Sequence, residues 1–139
     1  MYLLDTNVVS ELRRPRPHGA VLDWIGRVSA EQLFVSTVTV GEIQAGIEIA
    51  REQDAARAED LEGWLDKVIT SYGVVPMDAA AFREWARLMH RRSDTMSEDA
   101  MIAATAIVHR LAVVTRNVVD FAPFGVELLN PFSTDGDSS

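Results

Sequence analysis

Residues 97–117 have the sequence SEDAMIAATAIVHRLAVVTRN. The first part, Glu98 to Arg110, is apolar on nearly every side of a helix, which predicts a helix packed on both sides. The second part, Ala112 to Thr115, has the run of small and β-branched residues typical of a buried strand. Such a helix followed directly by such a strand favours a parallel sheet covered by helices on both faces.

The same alternation of strand and helix extends to both sides of this stretch. Predicted strands are Tyr2–Leu4, Leu33–Ser36, Val74–Val75, Ala112–Thr115 and Glu127–Leu129. Predicted helices are Val8–Leu12, His18–Ser29, Thr39–Ala50 and Asp54–Tyr72, the last closed by Gly73, then one capped by Asp78 and one, Glu98–Arg110, capped by Ser97. Pro76 confines the third strand to a short or edge position. The fold class expected is α/β, with three layers and a mostly parallel sheet of four to five strands.

The composition is that of one globular domain. The chain has 139 residues, 47% of them hydrophobic, and we expect residues 1–132 to form the domain and the polar residues 133–139 to be a disordered tail. The absence of cysteine excludes disulfide scaffolds, zinc ribbons, iron–sulfur sites and thiol nucleophiles, and it suits a cytoplasmic protein. The N-terminus lacks the basic region of a signal peptide, and the longest apolar stretch is half the length of a membrane span, so we expect no membrane association.

The charge balance is acidic, with 13 Lys and Arg against 21 Asp and Glu and a net charge of −8. This balance argues against broad, sequence-independent binding to a phosphate backbone. The arginines nevertheless form two clusters, Arg13, Arg14 and Arg16, and Arg83, Arg87, Arg91 and Arg92. Such clusters either grip phosphate or are simply solvated faces of helices, and the sequence alone leaves both interpretations open.

Four acids and an amide are predicted to meet at one edge of the sheet. Asp5 directly follows the first strand, Glu42 lies in the opening turns of the next helix, Asp99 lies in the first turn of the buried helix, and Asn117 and Asp120 follow the fourth strand. Ligands bind open α/β sheets beyond the carboxyl ends of the strands. Carboxylates clustered there repel one another unless a cation is present, and oxygen ligands without thiols favour Mg²⁺ or Mn²⁺.

Each acid also has a purely structural interpretation. Asp5 is a possible helix N-cap, Asp99 suits the dipole at a helix start, and Asp120 is a possible turn cap. Glu42 has the weakest structural interpretation, an exposed position near a helix start, because an unpaired carboxylate buried there would cost several kcal/mol. The joint placement is therefore what indicates a site. The histidines His18, His90 and His109 are expected to be structural, and no serine-hydrolase or phosphate-loop motif is present.

Four segments carry a resemblance to a known family. They are LLDTNVVSEL at 3–12, LFVSTVTVGEIQAG at 33–46, DAMIAATAIVHRLAVVTRNVVDF at 99–121 and LLNPF at 128–132. In this order and spacing they resemble the PIN-domain ribonucleases, in particular the VapC-like toxins of bacterial type II toxin–antitoxin pairs and, among these, the FitB-related subgroup. The resemblance covers Met1 to about Phe132.

The resemblance implies roles for individual residues. The acidic trio of the family falls on Asp5, Glu42 and Asp99, and its fourth acid falls on Asn117, a departure from the usual pattern. Asp120, three residues later, is the alternative source of the fourth charge, so the fourth ligand stays open between the two. Asn7 and Thr115 are implied to orient Asp5 and Asn117.

The implied activity is metal-dependent cleavage of RNA. Asp5, Asp99, Asn117 and Asp120 would hold one or two Mg²⁺ ions, and Glu42 would hold metal or hydrogen-bond the attacking water. The catalytic residues implied are Asp5, Glu42, Asp99 and Asp120. Attack by water would leave a 5′-phosphate and a 3′-hydroxyl, with the arginine clusters guiding the RNA.

The resemblance also implies partners. A small VapB-like antitoxin would place a basic segment on the acidic site, and the toxin would pair as a homodimer through the segments Trp64–Tyr72 and Phe82–Met89, giving a heterotetramer or larger assembly with the antitoxin. Two alternatives remain at this point. One is a PIN fold with weak catalysis that serves as an RNA-binding or protein-interaction module, favoured by Asn117, and the other is a housekeeping or DNA-directed nuclease.

Overall fold

The structure, a computed structural model, describes residues 1–133, and the predicted tail lies outside these residues except for Ser133. The strands are β1 (Tyr2–Leu4), β2 (Leu33–Ser36), β3 (Gly73–Val75), β4 (Ala112–Val114) and β5 (Leu128–Leu129). The α-helices are α1 (Thr6–Leu12), α2 (Gly19–Arg27), α3 (Thr37–Arg51), α4 (Ala55–Ser71), α5 (Ala79–Met89), α6 (Ser97–His109) and α7 (Val118–Phe121). All five predicted strands are present.

The sheet has the order β3-β2-β1-β4-β5, and all of its strands are parallel. Tyr2 is in register with Leu33 on one side and Ala112 on the other, so β1 is the central strand. The predicted α/β class and parallel sheet are confirmed. The carboxyl ends of β1 and β4 therefore lie side by side, and the residues after them, Asp5 and Thr115, share one edge of the sheet.

Each face of the sheet is covered by its own core. Successive side chains of a strand point to opposite faces, so Leu3 packs among α6 residues such as Ala103, while Leu4 packs among residues of α1 and α2 such as Val8 and Val21. All five of these side chains are fully buried. The sheet is thus the middle layer of three, as predicted, and α6 is buried as its apolar composition indicates.

Two predicted helix boundaries are wrong. Gly73 does not close α4 but begins β3, and a Cβ at that position would lie 2.4 Å from Cδ1 of Phe34, so the residue is small because a neighbouring ring occupies the space. Ser97 does not cap α6 but is its first residue, because a 3₁₀ turn, Asp94–Met96, leads into the helix and Ser97 already has helical angles.

The apolar residues expected to leave a surface for dimerisation are partly absorbed by the core. Leu65 and Val68 of α4 are buried, whereas Ile69 is 39% exposed and Phe82 of α5 is 46% exposed. Within residues 1–133, no helix combines the length and the apolar character needed to cross a membrane.

Candidate active site

Asp5 lies at the carboxyl end of the central strand and is also the N-cap of α1. Its Oδ1 accepts a hydrogen bond of 2.8 Å from the Thr6 N–H, and its Oδ2 accepts one of 2.8 Å from the Thr115 hydroxyl. The side chain is buried, and burial raises its pKa although these hydrogen bonds oppose the shift. The capping role and the candidate site role thus occur together in one residue.

Asn7 and Thr115 connect the ends of β1 and β4. The Asn7 amide nitrogen donates to Asp5 Oδ2 at 3.1 Å, and the Asn7 amide oxygen accepts from the Arg116 N–H at 3.3 Å. The Thr115 oxygen also accepts from the Asn117 N–H at 2.9 Å. Because the Thr115 hydroxyl is hydrogen-bonded to both Asp5 and Asn117, it fixes the orientation of the Asp5 carboxylate and the path of the chain after β4.

Glu42 projects from α3 beside the same edge. The Thr6 hydroxyl donates to its Oε1 at 2.7 Å. Burial is the largest cause that raises the pKa of Glu42 to about 7, followed by a hydrogen bond with the Glu98 carboxyl and by the negative charges of Glu98 and Asp5. Glu98 is therefore part of this site, a role that its position beside Asp99 at a helix start did not reveal.

Asp99, in the first turn of α6, faces other carboxylates. Its pKa is raised to about 6, first by burial and then by the negative charges of Asp5, Asp120 and Glu98. The structure thus brings Asp99 and Asp120 into electrostatic contact, and Asp99 with Asp5. The negative charges of Asp5, after β1, and of Asp120, in α7, thus act on Asp99 at the carboxyl end of the sheet.

Asn117 and Asp120 lie on the exposed side of this cluster. Asn117 precedes α7 but its side chain makes no capping hydrogen bond, and Asp120 lies inside α7 rather than at a cap. Both residues are exposed. Neither carboxamide nor carboxylate is engaged in holding the local fold, so both side chains are available to a ligand.

A known protein family matches this arrangement. The family model described as PIN domain matches residues 2–122, which include every residue of the site. The chain belongs to the PIN domain family. The match confirms the resemblance of the first three sequence segments, and the fourth, at 128–132, lies beyond the matched residues.

Individual relatives of this PIN domain match over nearly their whole length. The chain is 35% identical over 138 residues to "VapC ribonuclease Y4jK" of Sinorhizobium fredii, covering 95% of this chain and 98% of the relative, and 30% identical over 141 residues to "Toxin FitB" of Neisseria gonorrhoeae, covering 95% and 99%. The crystal structure of FitAcB from Neisseria gonorrhoeae superposes with a TM-score of 0.83 at 30% identity, covering 95% of this chain and 99% of that chain.

A chain of hydroxyl groups from Thr6, Thr39 and Ser36 lies next to Glu42. The sequence analysis did not identify it. Thr6 Oγ1 lies 3.0 Å from Thr39 Oγ1, and the Thr39 N–H donates to Ser36 Oγ at 3.1 Å. Ser36 and Thr39 are buried at the start of α3. The signal available in the sequence was the run STVT at 36–39, which directly precedes the helix that carries Glu42.

The histidines take structural positions in this PIN domain. His18 is the N-cap of α2, where its Nδ1 accepts from the Ala20 N–H at 3.2 Å, and His109 Nε2 lies 3.3 Å from an Asp78 carboxylate oxygen. Neither contacts the carboxylate cluster. The expectation that these two histidines are structural agrees with both positions.

The donor set suits a hard divalent cation. All candidate ligands offer oxygen, and the mutual repulsion that raises the pKa of Asp99 would be relieved by a positive charge between the acids. Among residues 1–133, however, no group of three histidine or acidic side chains is arranged so that it could hold a metal ion. The oxygen donors fit the chemistry of such an ion, but their side chains are not arranged around a common point in this structure.

Proposed function

We propose that this protein is a metal-dependent endoribonuclease that acts as the toxin of a type II toxin–antitoxin pair. The observation that carries the proposal is the electrostatic contact of Asp5, Asp99 and Asp120 at the carboxyl edge of a PIN-domain sheet. The names of two nearly full-length relatives, a VapC ribonuclease and the toxin FitB, support the same activity and the same biological role.

The chain's own residues prepare the site for hydrolysis. Asp5, Asp99 and Asp120, with Asn117 as a neutral oxygen donor, would hold Mg²⁺ or Mn²⁺, which when bound lowers the pKa of water and neutralises phosphate charge. The Thr115 hydroxyl, the Asn7 amide and the Thr6 N–H hold both Asp5 oxygens in one orientation before substrate arrives. This preorganisation avoids reorientation of the carboxylate during the reaction.

Glu42 is placed to accept a proton. Thr6 donates to one of its oxygens, and its pKa of about 7 lets it exist in both protonation states near neutral pH. In its ionised form it would take the proton of the attacking water. No side chain is needed as nucleophile, so the products would be a 5′-phosphate and a 3′-hydroxyl.

The acidity of the protein favours a basic inhibitor. A net charge of −8 and a carboxylate cluster at the sheet edge are complementary to a cationic peptide segment. We infer that a small VapB-like antitoxin covers the site and neutralises it in the absence of metal. Its basic side chain would take the position between the carboxylates that the cation takes in the active enzyme.

A second candidate function is an RNA-binding or protein-interaction module with weak catalysis. Two observations favour it, namely the amide of Asn117 where relatives of this type usually carry an acid, and the lack of a ready-made group of three ligands among residues 1–133. Metal-dependent RNA cleavage distinguishes the two functions. Only in the nuclease should this cleavage be lost when a single carboxylate of the cluster is made neutral.

The test is Asp99→Asn, which removes one charge and keeps the shape of the side chain. We expect Mg²⁺-dependent cleavage of RNA to fall by at least about a hundredfold, as when one group that stabilises the transition state is removed. In EDTA the variant should unfold at the same or a higher temperature, because one of several mutually repelling acids is gone. Asp5→Asn should behave alike in activity.

Asp94→Asn is the matched control, since Asp94 is exposed five residues before Asp99 and its side chain takes no part in the site. It should cleave RNA as fast as the parent. An Asp99→Asn protein with full Mg²⁺-dependent activity would show that Asp99 does not belong to the catalytic site.

A further inference from the structure

A groove leads away from the acidic site between α1, α3 and α4. Thr6 and Glu42 line its inner end, Arg13, Arg57 and Trp64 line its outer end, and the volume is about 280 Å³. Its floor consists of small and aliphatic residues: Ile43, Gly46, Ile47, Ala50 and Leu61. One end of the groove therefore belongs to the candidate active site itself, and a ligand at that end would lie beside Glu42.

Two cations at the outer end have no acidic partner. The salt bridges of residues 1–133 involve Arg14, Arg51, Arg87 and His109 but neither Arg13 nor Arg57. The two unpaired guanidinium groups line the same groove, so both can contact one ligand there. They are free to bind an anion, and a guanidinium suits phosphate in particular.

The position of Arg57 gives no benefit to the helix that carries it. Arg57 lies in the first turn of α4, where its N–H is bound by the capping Asp54 side chain. A positive side chain in the first turn opposes the helix dipole and slightly destabilises the helix. Since Arg57 neither caps the helix nor forms an ion pair, helix stability does not explain its presence.

Trp64 offers an aromatic surface at the same place. Its ring is half-buried, and the Arg13 guanidinium stands 5.9 Å from the ring centroid, near the outer limit for a cation–π contact. Its indole N–H makes no hydrogen bond within residues 1–133 and is not buried, whereas the indole of Trp85 donates to the Ser97 carbonyl at 3.2 Å. The polar edge of Trp64 is thus available to a ligand.

We propose that this groove binds one nucleotide of the RNA strand next to the cleaved bond, a specificity subsite that rests on the proposed function. The base would pack on the apolar floor and against Trp64, and the phosphate on its outer side would lie between Arg13 and Arg57. Aromatic stacking and guanidinium contacts are the usual means of binding single-stranded nucleic acid.

The size and charge of the inner part of the groove favour a single nucleotide. This inner part has a volume of about 280 Å³, close to the smallest sites that hold small molecules, and it opens at Arg13, Arg57 and Trp64 into a wider depression of about 580 Å³. Beyond Trp64 the surface continues past Asp54 and Asp60, two acids that disfavour further phosphates. The proposal is therefore confined to a single nucleotide.

The experiment measures binding of labelled hexa-adenylate RNA to the full chain in EDTA, where no cleavage occurs, at several salt concentrations. We expect Arg13→Gln and Arg57→Gln each to weaken binding about tenfold and to reduce the slope of log K against log salt by about 0.7, the value for one phosphate contact on a single strand. Trp64→Leu should weaken binding by about fivefold or more without changing the slope, because stacking is not ionic.

Arg27→Gln is the control. Arg27 is an exposed arginine at the end of α2, just before the chain enters the amino end of β2, and it does not line the groove. It should bind within about twofold of the parent. Circular dichroism verifies folding, and Trp64→Phe, which keeps a ring, replaces Trp64→Leu where the latter unfolds. Parent-like affinity and salt slope in both arginine variants would overturn the proposal.

Two further outcomes distinguish the subsite from the proposed nuclease function and from a groove that binds a protein. If the parent does not cleave RNA in Mg²⁺ but the groove variants lose binding in EDTA, the proposed function fails and the subsite stands. If the variants bind RNA like the parent but no longer form a complex with a co-expressed antitoxin that binds the parent, the occupant is a protein and the subsite is wrong.

Discussion

At the scale of single residues, the fourth position of the carboxylate cluster distinguishes this chain from the usual pattern of its family. Asn117→Asp should preserve or raise Mg²⁺-dependent cleavage, because the side chain is exposed, makes no capping bond and would add charge where a cation binds. Asp120→Ala should reduce cleavage severely, by about a hundredfold, if Asp120 supplies the missing charge. Rates at saturating and limiting Mg²⁺ measure both effects.

The opposite order of these two variants has a clear meaning. An Asp120→Ala protein as active as the parent would leave Asn117 as the ligand and reduce Asp120 to a surface residue of α7. Glu127→Ala is a suitable control, since it removes an exposed acid near β5 outside the cluster.

The raised pKa values predict a pH dependence of stability. Asp99 and Glu42 have folded pKa values of about 6 and about 7 against ordinary values of 3.8 and 4.5, so between these limits the folded protein binds protons that the unfolded chain has released. Stability of the metal-free protein therefore falls as pH rises from about 4 to about 7. Melting temperatures in EDTA at several pH values measure this slope.

Asp99→Asn removes one of the carboxyl groups whose pKa is raised and should flatten that slope. Mg²⁺ needs the ionised carboxylates, so its addition should raise the melting temperature more at about pH 8 than at about pH 5. An equal effect of Mg²⁺ at both values would contradict binding at these acids.

Residue positions were predictable from the sequence where strand ends determine them. The position of Asp5 follows from the rule that the carboxyl ends of parallel strands share an edge, and Asp99 lies at the same edge because α6 begins there and leads back to the start of β4. Glu98 was missed because its partner, Glu42, lies 56 positions away on another helix, and only packing of α3 near α6 reveals the contact. Trp64 and Arg57 were likewise not predicted as groove residues. The groove forms only where α1, α3 and α4 pack together, and no local sequence pattern predicts that packing.

At the scale of secondary-structure elements, Gly73 tests how β3 fits against β2. Gly73→Ala should destabilise the protein by about 1–3 kcal/mol, because a Cβ would overlap the ring of Phe34 and force it to move. Gly63→Ala is the matched control in the interior of α4, where a Cβ meets nothing within 4 Å. It should stabilise the protein by about 0.5–1 kcal/mol, since alanine favours helix.

Urea denaturation of both variants measures the two effects, and the opposite signs are the essential result. If Gly73→Ala were neutral, the Phe34 ring would have room to rotate away.

Most elements were predictable because local chemistry marks their ends. Asp78 is the N-cap of α5 as predicted, α4 begins one residue after the predicted start, Asp54, which is its N-cap, and Pro76 follows an edge strand. The start of α6 was not predictable, because the Ser93 side chain binds the Thr95 N–H and begins a 3₁₀ turn that only the observed backbone distinguishes from the helix.

At the scale of the whole molecule, we expect a homodimer. Phe82 is 46% exposed on α5, where its ring packs edge-on against Trp85, and Ile69 is 39% exposed on α4. A twofold axis through such a surface would bury the same residues on both chains. Light scattering at micromolar concentration should report about twice 15.4 kDa, and Phe82→Asp should shift it toward the single-chain mass. A parent protein that is monomeric without antitoxin would contradict the expectation.

The hydrogen bond between Asp5 and Thr115 spans 110 positions of the chain, and the central strand pairs with a strand made near the end of synthesis. A nascent chain that has emerged only as far as α5 carries Asp5 and Glu42 but lacks Asp99, Asp120 and the threonine that orients Asp5. Since β1 cannot complete its pairing before β4 leaves the ribosome, we expect no active fragment during translation. A nuclease of the proposed kind would therefore become active only once its chain is nearly finished, so no incomplete chain would cleave RNA while it is still being made.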